Sequence, residues 1–241
     1  MGLFEVRQLS FRYGARNALE NIDLNITAGE RVVLLGSNGS GKSTLLRLLD
    51  GLYLPSSGSI HFDGVELTEA RLADPQLLIA FRRRVGLLFQ DPDVQLFNAT
   101  VFDEIAFGPL QLGWTREQVI AAVEEALNLF NIAELRDRAP YLLSGGEKKR
   151  VALASVLVVK PDVLLLDEPT AALDPKSQGQ LIAFLQALPA STTVITATHE
   201  LSRIEDFAQT GCILQQGRIV KHGSVSSILD DPALLRTADL L

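Results

Sequence analysis

Short apolar runs separated by glycine fill the first third of the chain. Phe4 to Phe11, Asp23 to Ile26 and Ser59 to Phe62 have strand length, and Gly14, Gly29, Gly58 and Gly64 punctuate them. Arg31-Val32-Val33-Leu34-Leu35 is almost continuously apolar, the pattern of a strand buried on both faces of a parallel sheet. Val85 to Phe89 reads the same way, and Lys42 to Asp50 has helical spacing. From Asp91 to about Lys160 the period becomes helical. Thr100-Val-Phe-Asp103 fits a capping box opening one helix, which Gly108-Pro109 is expected to stop. Thr115-Arg-Glu-Gln118 opens a second, with Val119, Val123, Ala126, Leu127 and Phe130 on one face. Strand patterns return at Val163 to Leu166, Thr193 to Ala197, Cys212 to Leu214 and Arg218 to Val220. The pattern therefore predicts an α/β core, residues 1–90 with 160–241, interrupted by a helical module over 91–159.

Composition narrows the class. The 241 residues are 47% hydrophobic and 21% charged, so an ordinary globular core is expected. A net charge of −7 argues against nucleic acid as a partner through a broad basic face. Arg82-Arg83-Arg84 is locally basic and reads as a solvated strand edge. The single cysteine, Cys212, lies in an apolar run and is expected to be a buried, inert thiol in a reducing compartment. No apolar stretch approaches the roughly 20 residues needed to span a bilayer. The first residues, Met1-Gly-Leu-Phe-Glu-Val6, lack the features of a secretion signal, and Val6 breaks the myristoylation pattern. A soluble chain is expected, with any membrane role borrowed from a partner.

Three motifs carry candidate chemistry. Gly36-Ser37-Asn38-Gly39-Ser40-Gly41-Lys42-Ser43-Thr44 is a full phosphate-binding loop lying between a strand and a helix. Its glycines let the backbone wrap a β-phosphate, Lys42 supplies a point charge, and Ser43 is placed to ligate Mg²⁺. Asp167 ends an apolar strand, so its carboxylate falls at the carboxyl edge of a parallel sheet, where ligands bind in open α/β folds. Asp167 is the expected metal-holding acid, and Glu168 the candidate general base for an attacking water. Leu143-Ser144-Gly145-Gly146-Glu147 is a second glycine-rich turn opening a helix. Ser144 and Glu147 make a capping box, and a capped helix N-terminus is also an anion site. Two anion cradles with one set of catalytic carboxylates suggest a head-to-tail pair of chains, each lending its second cradle to the other's nucleotide.

Together these motifs resemble the nucleotide-binding subunit of the ATP-binding-cassette family, over nearly the whole chain. The resemblance implies a P-loop NTPase core of RecA-like α/β fold, an N-terminal antiparallel β subdomain and an inserted α-helical subdomain. It also implies ATP and Mg²⁺ as cofactors. In that family the Ser144-Gly145-Gly146 turn would hold the γ-phosphate of ATP bound to the opposite protomer. Tyr13 matches the aromatic that stacks on adenine, and Gln90 the glutamine that touches Mg²⁺ or the attacking water. Asp174 lies in the matching loop across the dimer seam, and His199 matches the histidine contacting γ-phosphate. Glu147 stands where glutamine is usual, and Ala171 where serine is common.

The segment Gln90 to Phe97, followed by Thr100 to Pro109, further resembles the ATPases of energy-coupling-factor importers of vitamins, cobalt or nickel. The resemblance implies a second ATPase subunit, identical or paralogous, and integral membrane subunits docking near Gln90–Phe97 at the cytoplasmic face of the membrane. The acids Asp91, Asp93, Asp103 and Glu104 would meet arginines of a membrane partner, or simply suit helix starts. Two alternatives stay open: a motor for another cargo, and a soluble ATPase of the same superfamily without a transport role.

Overall fold

The computed structural model describes residues 2–171 and 173–241. The chain opens with a hairpin, β1 (Phe4–Tyr13) and β2 (Arg16–Ile26), and then enters β3 (Arg31–Leu35) and α1 (Lys42–Leu49). The strands β4 (Ser57–Phe62) and β5 (Val65–Glu66) return to the hairpin, making an antiparallel sheet in the order β2-β1-β4-β5. Two helices, α2 (Glu69–Leu72) and α3 (Pro75–Arg84), lead into β6 (Val85–Leu88). Then come α4 (Val101–Gln111), α5 (Arg116–Leu129) and α6 (Gly145–Leu157). The rest alternates: β7 (Val163–Asp167), α7 (Pro175–Ala187), β8 (Thr193–Thr198), β9 (Thr210–Gln215), β10 (Arg218–Ser224), α8 (Val225–Leu229) and α9 (Pro232–Thr237).

The second sheet has the order β10-β9-β3-β8-β7-β6. Its pairings from β9 to β6 are parallel, and β10 closes it antiparallel. Its central strands divide their side chains between two cores, as the two-residue period requires. Val32 and Leu34 face the core shared with α1 and the antiparallel sheet, while Val33 and Leu35 face the one shared with α4–α6. In β7, Val163 and Leu165 take the first side, Leu164 and Leu166 the second. All eight are essentially inaccessible. Each such side chain is worth about 1.5–3 kcal/mol of burial. The sheet is thereby a rigid platform whose carboxyl edge carries the loops after β3, β6, β7 and β8.

Several local expectations change. The β-rich reading of the first third overlooks α2 and α3, whose starts are capped by Thr68 and Asp74. Arg82–Arg84 is therefore the last turn of a helix and not a strand edge. Arg82 pairs with buried Asp50, while Arg84 bridges Asp63 and Asp162. Pro109 does not stop α4, which runs to Gln111, because the lost amide bond affects only the last turn. Thr100 caps that helix through the Asp103 amide, but Asp103 answers the Thr100 hydroxyl, at 2.6 Å, rather than its backbone. The Thr115–Gln118 box is reciprocal, and the five apolar residues on α5 and its C-cap are all buried.

Candidate functional site

Strand β3 delivers the loop 36–41 directly into α1. Gly41 caps the helix with φ +114°, a conformation that favours glycine, and a Cβ there would meet Leu19 Cδ2 at 2.7 Å. No side chain caps this helix, so its first amides are left for a ligand. In front of it opens a cleft of about 620 Å³. Tyr13, Asn38, Gly39, Gly41, Lys42, Ser43, Thr44, Gln90 and Glu168 line it, which brings residues from four separated segments together. The Tyr13 hydroxyl is 3.3 Å from Thr44 Oγ1, and its ring packs edge-on against Phe11 and Tyr53.

Beneath the cleft lies a compact charged cluster. Lys42 is buried, and its ammonium donates to the carbonyls of Gly36 at 2.6 Å and Ser37 at 3.2 Å. Burial lowers its pKa, against the raising influence of Glu168 and Asp167. Ser43 Oγ donates to Asp167 Oδ1 at 2.9 Å, and burial raises the pKa of that carboxyl despite the bond. Glu168 is equally buried. It accepts from Thr198 Oγ1 at 3.0 Å, lies 2.8 Å from His199 Nδ1, and stands 3.9 Å from the Lys42 ammonium. Ser40, within the loop, is buried, and its hydroxyl has no hydrogen-bond partner among the described residues. A Cβ on Gly36 would collide with Leu214 O and the Ser40 side chain, so only glycine permits that close turn.

The remaining predicted residues lie elsewhere. Ser144, Gly145, Gly146 and Glu147 do not line the cleft. They form the start of α6, with Ser144 capping the Glu147 amide and Glu147 Oε2 accepting from the Ser144 amide at 2.8 Å and hydroxyl at 2.7 Å. That hydroxyl bond holds the Glu147 carboxyl below its usual range. Among the described residues, nothing beyond the neighbouring residues and the helix's own backbone lies within 4 Å of where a side chain on Gly145 or Gly146 would begin. Asp174 is exposed and caps α7 through the amides of Lys176 and Ser177; Ala172, in the same loop, is outside the described residues.

Several site residues had escaped the sequence. Arg16, Asn17 and Ala18 line the cleft because the β1–β2 hairpin pairs Arg16 with Tyr13 and Asn17 with Arg12. The Gly14 turn was the available signal. Gln216 and Gly217, in the β9–β10 turn, reach the cleft from far along the chain, and Gly217 donates its amide to Ser40 O at 2.9 Å. Lys149 is buried and bonds the backbone of both Gln90 and Glu168. The acids also separate. Asp91, Asp93 and Asp103 are exposed, but Glu104 is buried and accepts the amides of Phe97 and Asn98, both at 2.8 Å. Glu104 shapes the loop and is not part of an acidic surface.

The hard oxygen pair of Ser43 and Asp167 fits Mg²⁺, a cation that prefers oxygen donors, and these two residues would help to hold it. Among the described residues no three His, Cys, Asp or Glu side chains cluster as a self-sufficient metal site. A wrapped phosphate loop on a parallel sheet, with an acidic strand end beside it, defines a P-loop nucleotide hydrolase. The chain belongs to the ABC transporter family and is one of its ATPases: the family's sequence pattern matches residues 19–171. It is 50% identical to the nickel import ATP-binding protein NikO of Rhodobacter capsulatus, over 99% of this chain and 95% of that one. It is 42% identical to the energy-coupling factor transporter ATP-binding protein EcfA of Methanoculleus marisnigri, over 98% and 84%. Among solved structures, cbiO1 of Clostridium perfringens, part of the ABC transporter complex cbiONQ, superposes with a TM-score of 0.80 at 34% identity, over 99% and 95% of the two chains. The dimeric cassette MJ0796 bound to ADP and phosphate gives 0.83 at 26%, over 92% and 98%.

Proposed function

We propose that this chain is the ATP-hydrolysing motor of an energy-coupling-factor importer, working as a dimer of cassettes at the cytoplasmic face of a membrane and powering uptake of nickel or cobalt, or a vitamin. The observation that carries the branch is the likeness to the NikO protein along nearly the full length of both chains. The likeness to the EcfA protein and to cbiO1 supports it.

The geometry supplies a mechanism. ATP enters the cleft with its base toward Tyr13 and its phosphates along the loop 36–41. Lys42 exchanges the Gly36 and Ser37 carbonyls for β- and γ-oxygens, a cheap move because the ammonium is already beside the loop. Ser43, Asp167 and Gln90 are the groups that would hold Mg²⁺, which neutralises charge on the phosphates. Glu168 takes the proton of the attacking water, steadied by Thr198, while His199 faces the γ-phosphate from Glu168. The open Ser144–Glu147 turn of a second chain covers the γ-phosphate, and Asp174 of each chain lies at the seam. ATP at about 100 times its dissociation constant favours the closed pair by about 2.7 kcal/mol per site. Hydrolysis removes the shared phosphate, and the helices α4–α6 of the two chains part.

The segment after β6 is suited to pass that motion on. Val94 and Phe97 are each 67% exposed, and Phe97 packs edge-on against exposed Phe107 at 5.0 Å. The acids Asp91, Asp93 and Asp103 lie on the same segment and the helix start that follows. Such a surface suits a membrane subunit's helix with an apolar face and basic ends. Among the described residues no helix is long and apolar enough to cross a membrane itself.

Purification of the tagged chain from detergent-solubilised membranes is expected to bring down hydrophobic subunits, and vesicles made with them should take up nickel or cobalt only with ATP inside a functional complex. In the same vesicles Glu168→Gln should abolish uptake and turnover while the ATP-bound pair accumulates. Parental turnover by Glu168→Gln would remove the general-base assignment, and recovery of the chain free of membrane subunits would remove the importer.

A further inference from the structure

Lys149 is an ammonium buried to 3% exposure on the second turn of α6, and nothing in the motif chemistry above employs it. Its Nζ donates to three main-chain carbonyls: Phe89 O at 3.4 Å, Gln90 O at 3.1 Å and Glu168 O at 3.2 Å. An ammonium has three donors, so its capacity is fully used. Burying a cation is expensive, and a methionine of similar length would fill the space without that cost. What the charge provides is one junction of α6 with the ends of β6 and β7. Gln95 and the Lys148–Asp93 pair also tie the segment after β6 to α6, and Lys149 brings the Glu168 carbonyl into the same knot.

The junction is unusually placed. Glu168 has φ +46°, the left-handed region that a branched or charged side chain rarely adopts. Its amide is tied to Ala197 O at 2.9 Å, and its carbonyl is the one that Lys149 holds. The peptide carrying the Glu168 side chain is thus fixed at both ends, one to β8 and one to α6. The same ammonium fixes the backbone of Gln90. Ser144, which opens α6, is little more than one helical turn from Lys149 along a rigid axis.

We propose that Lys149 is the positioning residue that ties the Ser144 end of α6 to Gln90 and Glu168 of its own chain, so that seating Ser144 on the partner's nucleotide sets the geometry of this chain's own hydrolytic groups. This inference rests on the shared-site dimer proposed above. In such a dimer Ser144 reads one nucleotide while Glu168 acts on the other. Lys149 therefore joins the two sites, and turnover rises steeply with ATP because each site is aligned only when the other is filled.

The test uses the full-length chain and its Lys149→Met variant, which keeps the apolar stem and removes the three donors. Turnover should fall roughly 10- to 100-fold, the range that misplacing a catalytic group costs. Half-saturating ATP should move less than about 2-fold, and the Hill coefficient should fall below the parental value while staying above 1, since two nucleotides still close one pair. Lys149→Gln, which retains two donors, should recover part of both turnover and steepness; it also serves if Lys149→Met does not fold. Lys149→Met with parental turnover and steepness overturns the proposal, as does parental behaviour of Lys149→Gln where that is the variant that folds. The Glu168→Gln background separates the two levels of argument. If ATP fails to pair Glu168→Gln chains that retain Lys149, the shared-site reading falls, and this inference with it. If those chains pair but Glu168→Gln/Lys149→Met chains do not, Lys149 is a strut for the dimer surface and the positioning role is overturned. Pairing by both, with the kinetic split above, supports it.

Discussion

Two helix N-termini in this chain are built for opposite situations. The one after β3 has no side-chain cap, begins at a left-handed glycine, and is walled by the β1–β2 hairpin, the β9–β10 turn and Glu168. The one opening α6 is capped twice by its own residues, Ser144 and Glu147, and its glycines face open space. A helix end left uncapped inside a cleft costs stability until a ligand satisfies it. A self-capped end is stable alone and must exchange an internal bond to take a ligand. The first end is therefore open to a small polyanion, and in the proposed dimer the second is the surface that meets the partner's pocket.

The largest way to break that contrast is Lys42→Ala. Nucleotide binding and turnover should both fall by more than about 100-fold, because a buried charge at the phosphates is lost. A fluorescent ATP analogue that still bound the variant tightly would show that the first helix end is not the phosphate cradle.

A smaller and more selective effect is expected from Ser144→Ala. Binding of the analogue to the single chain should be unchanged, since Ser144 is remote from the cleft lining. Turnover should drop about 10-fold through the lost contact to the partner's phosphate. Loss of the helix cap should also cost about 1 kcal/mol in denaturant unfolding. Turnover that fell in step with single-chain binding would place Ser144 in its own chain's pocket instead.

The smallest effect, and the sharpest, concerns Glu147. Glu147→Gln keeps the reach of the capping box but removes a negative charge beside the incoming phosphate. ATP-dependent pairing, read by gel filtration in the Glu168→Gln background, should tighten by about 2- to 5-fold, the scale of a partly exposed charge. The pH dependence has a defined sign. The Ser144 hydroxyl keeps the Glu147 carboxyl below its usual range, so the charge is present at neutral pH and is lost only as pH falls below that range. The advantage of the variant should accordingly persist at neutral pH and vanish in acid. An advantage that disappeared near neutrality would mean the carboxyl is not the source.

Where the sequence was informative, the reason was local. The phosphate loop needs glycine, lysine and serine at set spacing, and Asp167 needs only a strand to end beside it, so both could be recognised without knowing what packs around them. Glu104 misled for the converse reason. An acid near a helix start looks solvated, and its burial reversed that reading; Lys149 carried no signal in the sequence at all. Arg82 and Arg84 misled similarly, because their partners Asp50, Asp63 and Asp162 come from well before and well after them.

The amino-acid order alone thus determined most of the strands, the capped starts of α4, α5 and α6, the phosphate-loop pattern and the acid ending β7, since each is specified by neighbours within one or two turns. Tertiary structure decided which side chains meet. It brought Gln216 and Gly217 to the cleft, joined His199 to Glu168, and buried the Lys149 ammonium against the backbone of Gln90 and Glu168. Those contacts depend on parallel strands far apart in the chain lying side by side, and residue spacing along the chain carries no measure of that.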